Sequence, residues 1–140
     1  MIDSPNSCDD LAFAGATELA ALYAARKASP VDVARAVLAR IEQWNPIVNA
    51  YCQLAPEWTL AEARVSEARW MRGEALGPAD GIPFGVKDML LVAGCPTGFG
   101  SLAGQQVQPS QHDAPAVARL REAGAVFVGK TNTSEFGWKG

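Results

Sequence analysis

Lys87 stands next to last in the segment Gly81-Ile82-Pro83-Phe84-Gly85-Val86-Lys87-Asp88, where the pattern predicts a buried or half-buried side chain rather than a cation. Ile82, Phe84 and Val86 alternate to one face of an expected strand, which puts Lys87 on the other face with Pro83 and Gly85. Those two are small or rigid and leave room for close approach. An ammonium in a dry site loses hydration, so its pKa falls and a neutral amine becomes available as a base. Such a lysine takes a proton from a serine hydroxyl without histidine. A strand-end lysine that reaches solvent along its stem, or one that pairs with Asp88, accounts for the same residues. Spacing alone leaves both readings open.

Lys130 lies in a second string, GAVFVGKT from Gly124 to Thr131, which fits the G-x-x-x-x-G-K-[ST] pattern of a nucleotide-binding P-loop. A P-loop runs strand, loop, helix, with backbone N–H groups wrapped around a phosphate. Here Ala114–Ala123 has a helical pattern, with Val117, Leu120 and Arg121 on one side, and Gly124 stands where a helix C-cap belongs. Val126, Phe127 and Val128 favour a pleated strand. The order is therefore helix, glycine, strand, and the string predicts a sheet element that binds no nucleotide. A P-loop NTPase would need a strand before Gly124.

Between the lysines, Val92 to Ser101 holds three glycines and a proline, which predicts a loop of unusual backbone angles. Such a loop either rims a site or merely connects elements. Ser101 and Ser110 invite a search for a triad with His112 and Asp113, but neighbours in one segment rarely supply a separately placed base and orienter. Asp113 reads instead as the N-cap of the helix beginning near Ala114.

These residues need elements to position them. Thr17 is the expected N-cap of a helix with Leu19, Leu22 and Tyr23 on one face. Ser29-Pro30-Val31-Asp32 predicts a second helix with a capping box, Ala34, Val37, Leu38 and Ile41 inward, and an end near Asn45-Pro46. Val48–Leu54 reads as a strand, and Pro56 to about Arg72 as a third helix with Leu60, Ala61, Val65, Ala68 and Met71 inward. Gly73–Gly81 reads as a linker. Beyond it, short strands and Gly-rich loops suggest an α/β domain led by helices.

Composition narrows the functions. With 140 residues, 49% of them hydrophobic, the chain has material for a domain core. A net charge of −3, without a run of Lys or Arg, argues against a nucleic-acid or anionic-membrane surface. Neither a secretory signal nor a bilayer-length apolar run occurs. Cys8, Cys52 and Cys95 make no disulfide framework or zinc pattern, which fits a reducing, cytoplasmic setting. His112 is the single histidine, so a multi-histidine metal site is excluded, and no cofactor or metal is expected.

The three blocks GIPFGVKD, PTGFGS and DAPAVARLREAGAVFVGKTNTSEF, in that order, resemble the N-terminal third of the amidase signature family. The match is close over about residues 80–137, and the helical section from about Thr17 is similar in layout. The resemblance implies an α/β fold, the N-terminal part of the amidase signature fold: a helical N-terminal section, then strands of a mixed central sheet flanked by helices. It divides the chain into an N-terminal arm over 1–15 and a partial amidase domain over 16–140, helical over about 16–73 and sheet-forming over about 80–140. The implied activity is hydrolysis of a carboxylic amide C–N bond by a Ser–cis-Ser–Lys triad. Lys87 matches the family's catalytic lysine, which acts through the cis-serine and returns a proton to the departing amine. Backbone N–H groups of a Gly/Ser-rich loop would stabilise the oxyanion.

Thr131 and Asn132 match the family's Lys-Thr-Asn element, structural or pocket-lining there, while Thr133-Ser134 depart from its usual residues and affect the pocket shape. No Gly-Gly-Ser-Ser string carrying the serines occurs in these residues, so the chain alone, an N-terminal fragment or truncated reading frame, is expected to be inactive. The expected partner is a small-molecule amide, with no membrane and with a homodimer left open. Nucleic acid enters only under the alternative of the A subunit of a tRNA-dependent glutamine amidotransferase. A non-catalytic interaction protein built from the same section is a further alternative.

Overall fold

Ser29 opens the longest helix as the sequence predicts: its hydroxyl accepts from Asp32 N at 3.2 Å, and the Asp32 carboxylate accepts from Ser29 N at 3.0 Å. The structure, a computed structural model, describes residues 8–104 and 107–138. In chain order these form α1 (Cys8–Phe13), α2 (Ala16–Ala24), α3 (Pro30–Val48), β1 (Tyr51–Leu54), α4 (Pro56–Arg72), β2 (Pro83–Lys87), α5 (Pro115–Glu122) and β3 (Val126–Thr131). Short 3-10 turns lie at Leu102–Gly104 and Glu135–Gly137.

The strand order is β1-β3-β2, with β1 antiparallel and β2 parallel to β3. This is the expected α/β arrangement with a mixed sheet. The parallel step from β2 to β3 passes through α5, as parallel pairing requires a crossover. β3 is buried from Val126 to Lys130, because strands cover both its edges and side chains both its faces. Val126 packs with Val31 and Ala34 of α3 and Ala63 of α4. Phe127 joins Val86, Val92, Cys95 and Val117 in a second cluster. Leu19, Leu22 and Tyr23 of α2 meet Val33 of α3 in a third.

Several local expectations are corrected. Part of the arm expected over 1–15 lies outside the described residues, but Cys8–Phe13 is helical and Leu11 packs on the α2–α3 cluster. The N-cap of α2 is Gly15, without a side-chain cap from Thr17. α3 runs through Pro46 to Val48, and left-handed Asn49 (φ 48°) ends it. Pro46 sits in the last turn, where Asn45 fastens the chain from its side: its amide group bonds both Tyr51 N (2.7 Å) and Tyr51 O (3.1 Å).

α4 is rotated from the expected face. Thr59, Ala63 and Ser66 are buried and Leu60 half-buried, while Ala61, Val65, Ala68 and Met71 are exposed. The Thr59 hydroxyl lies 2.8 Å from the carbonyl oxygens of both Ala55 and Phe127, and Ser66 donates to Asp80 at 2.6 Å. Polar groups satisfied in this way lose little by burial. Asp113 is likewise no helix cap; α5 starts after Ala114, and Asp113 accepts from Ala93 N (2.7 Å) and pairs with Arg121 (3.2 Å).

Candidate active site

Because β2 and β3 are parallel, Lys87 and Thr131 end side by side, the edge of an α/β sheet where sites usually form. Lys87 pairs in register with Thr131, and Val86 with Lys130. The backbone around Lys87 is held from two sides. Asp88 N donates to Thr131 O at 2.9 Å, while Met89 N (2.6 Å) and Leu90 N (3.0 Å) donate to Lys87 O. A Cβ added to Gly85 would lie 3.0 Å from the Tyr51 hydroxyl and 3.2 Å from the Thr131 methyl. Lys87 shares that sheet face by strand alternation. Burial pushes the Tyr51 phenol above its ordinary pKa, so Tyr51 contributes a neutral hydroxyl at neutral pH.

The Lys87 side chain is exposed, and the burial expected for it falls on its neighbours. Lys130 is 0% exposed and Asp88 5%. Lys130 Nζ lies 2.9 Å from Asp88 Oδ1 and donates to Thr97 Oγ1 (2.6 Å) and Pro96 O (3.3 Å). Three acceptors meet the three protons of the ammonium. Asp88 also accepts from Gly98 N at 3.1 Å. Asp88 therefore pairs with Lys130, where the sequence offered Lys87 as its partner. The blocks GIPFGVKD, PTGFGS and GKT, separate in sequence, meet at this knot.

That arrangement also answers the P-loop pattern. Helix, Gly124 (φ 82°) and strand follow in that order, and the Lys130 ammonium is committed to protein acceptors. The Gly129 position is steric: a Cβ there would collide with the Gln53 carbonyl oxygen of β1.

A polar cavity of about 560 Å³ adjoins the knot, walled by Asp88, Gly98, Ser101, Asn132 and Thr133. Thr133 Oγ1 is buried and has no hydrogen-bond partner among the described residues. Ser101 donates to Glu135 at 2.7 Å and Ser110 to His112 O at 2.7 Å, so neither serine hydroxyl is directed at the imidazole. Phe99 (φ 55°) and Phe136 (φ 50°) both take left-handed backbone angles and stack their rings 6.3 Å apart. Among the described residues no group of His, Cys, Asp and Glu could hold a metal, and no helix is long and apolar enough to cross a membrane. Cys52 and Cys95 are free thiols.

Sequence reasoning placed Lys87 at the strand end but missed the knot of Lys130, Asp88 and Thr97 at the same end of the sheet. The available signal was a lysine inside the otherwise apolar run Val126–Thr131, which calls for a buried acid nearby.

Comparison with known proteins agrees with this geometry. The amidase family model matches residues 32–139. An acylamidase of Rhodococcus erythropolis is 39% identical over 131 residues, 94% of this chain and 27% of that protein. The A subunit of the Acidothermus cellulolyticus glutamyl-tRNA(Gln) amidotransferase is 42% identical over 127 residues, 91% of this chain and 25% of that protein. The solved peptide amidase of Stenotrophomonas maltophilia superposes with a TM-score of 0.81 at 37% identity, over 89% of this chain and 26% of its own. The chain thus spans about a quarter of the length of the relatives it matches. With a family match over most of its residues and the family's blocks gathered at one corner of the sheet, the chain belongs to the amidase family.

Proposed function

We propose that these residues supply the lysine of an enzyme that hydrolyses a carboxylic amide to carboxylate and ammonia or amine. The observation that carries the reading is Lys87 itself: exposed at the C-terminal end of a parallel strand, on a backbone fixed from two sides. In the Ser–cis-Ser–Lys mechanism the Lys87 amine takes a proton from the cis-serine, which takes one from the nucleophilic serine. The nucleophile attacks the carbonyl carbon, the C–N bond breaks, the lysine's proton returns to the departing nitrogen, and water then cleaves the acyl-serine ester to release the carboxylate and restore the serine. The serines and the oxyanion donors are assigned to residues beyond this chain, consistent with relatives about four times as long. The substrate is a small amide and the setting cytoplasmic, in keeping with free Cys52 and Cys95.

The test is steady-state amide hydrolysis by the protein expressed from its whole reading frame. Lys87→Ala removes both base and acid, each worth roughly 10²–10⁴-fold in rate. Lys87→Arg should be nearly as inactive, since guanidinium stays protonated. Near wild-type turnover by a folded Lys87→Arg enzyme would overturn the assignment. The similarity to the amidotransferase protein keeps a second reading, release of ammonia from glutamine. Glutaminase activity that appears only with added partner subunits would favour it.

A further inference from the structure

Lys130 and Asp88 form a buried ion pair at the same end of the sheet as Lys87. Stability alone is a weak reason for such a pair, because well-packed apolar residues often serve a core as well or better. What the pair grips is more informative. Asp88 follows Lys87 in the chain, and its N–H is tied to β3 through Thr131 O. Its carboxylate holds Gly98 N of the glycine-rich loop, while Lys130 holds Pro96 O and Thr97 Oγ1 of the same loop. Gln53 Nε2 of β1 adds a second hold on Pro96 O, at 3.2 Å. One charge pair therefore joins the end of β2, the end of β3 and the loop that walls the polar cavity.

We propose that Lys130 and Asp88 are positioning residues for amide hydrolysis: their ion pair sets the Lys87 backbone and the Pro96–Gly98 loop in one fixed relation. The inference rests on Lys87 being the base. Catalytic groups misplaced by about 1 Å lose as much as 10²-fold in rate, so a clamp of this kind acts on kcat.

The experiment uses the protein from its whole reading frame, with Asp88→Asn, Lys130→Met and the double variant, and reads melting temperature, kcat and KM. Folded single variants should lose about 10- to 100-fold in kcat with KM within about twofold. Wild-type kcat in any folded variant would overturn the proposal, as would a loss carried by KM rather than kcat. Should both single variants unfold, the double variant, which strands no charge, carries the test through its kcat; failure of all three to fold would make the pair structural and overturn the proposal. Lys87→Ala in parallel separates the two ideas. If it is active, the base assignment falls; if it is inactive while folded Lys130→Met turns over normally, only the clamp falls.

Discussion

Gly129 and Lys130 share a motif string but obey different constraints. Gly129 lets β1 approach β3, and an added methyl would meet the Gln53 carbonyl oxygen rather than a movable side chain. Gly129→Ala is expected to destabilise by about 3 kcal/mol, the upper range for forcing extra atoms into a packed site, read as a lower denaturant midpoint at constant slope. Lys130 meets Asp88, Thr97 and Pro96, so its ammonium is unavailable to a phosphate. Titration with ATP or GTP plus magnesium should therefore show no saturable binding; micromolar binding lost on Lys130→Ala would contradict this. Of the two lysines, the sequence pattern pointed to Lys87 as the one out of water. It judged burial from apolar neighbours within one strand, whereas Lys130 is buried through strands on either side. Pairing partners remote in sequence are what a single-strand pattern lacks.

At the scale of elements, the connection from α4 to β2 holds a second buried charge. Asp80 accepts from Ser66 (2.6 Å), Arg69 Nε (2.9 Å) and Leu76 N (3.0 Å), and the Trp70 indole donates to Asp80 O at 3.1 Å. Burial by itself raises the Asp80 pKa, but the bonds from Arg69, Ser66 and Leu76 outweigh it and hold the carboxyl below its ordinary value. The lowered folded value fixes the sign: this stability is fully present above the unfolded value of about 4 and is lost as pH falls through the folded one. Asp80→Asn should cost about 3 kcal/mol at neutral pH by stranding Arg69, and should flatten the acid limb of a stability–pH curve. Read from sequence, Gly73–Gly81 is a linker, because glycines and proline mark chain reversal and say nothing of what one acid among them bonds. The same blindness rotated α4, where Thr59 and Ser66 are buried by virtue of hydrogen bonds. The α3 start was legible because Ser29, Pro30 and Asp32 form a local device within four residues. Its end was not, since the last turn admits Pro46 and Asn45 ties it to Tyr51.

For the molecule as a whole, the order of strands in space opposes their order in the chain. β1 and β2 each pair with β3 and not with one another, yet β3 comes last of the three. A ribosome emitting this chain releases Tyr51–Leu54 and Pro83–Lys87 before either has a strand to pair with. Both must wait, as unpaired strands of the kind that invite wrong partners, until Val126–Thr131 emerges between them. Helices α2, α3 and α4 carry their own backbone hydrogen bonds and can form during that interval, so nascent structure should be helical first and acquire its sheet in one late step. A chain ending at Gly124 should accordingly show helical far-UV circular dichroism without sheet, and sheet signal should appear only on extension to Thr131. Ribosome-stalled chains probed by proteolysis at the same two lengths should switch from sensitive to protected, with the change set by emergence of one six-residue strand.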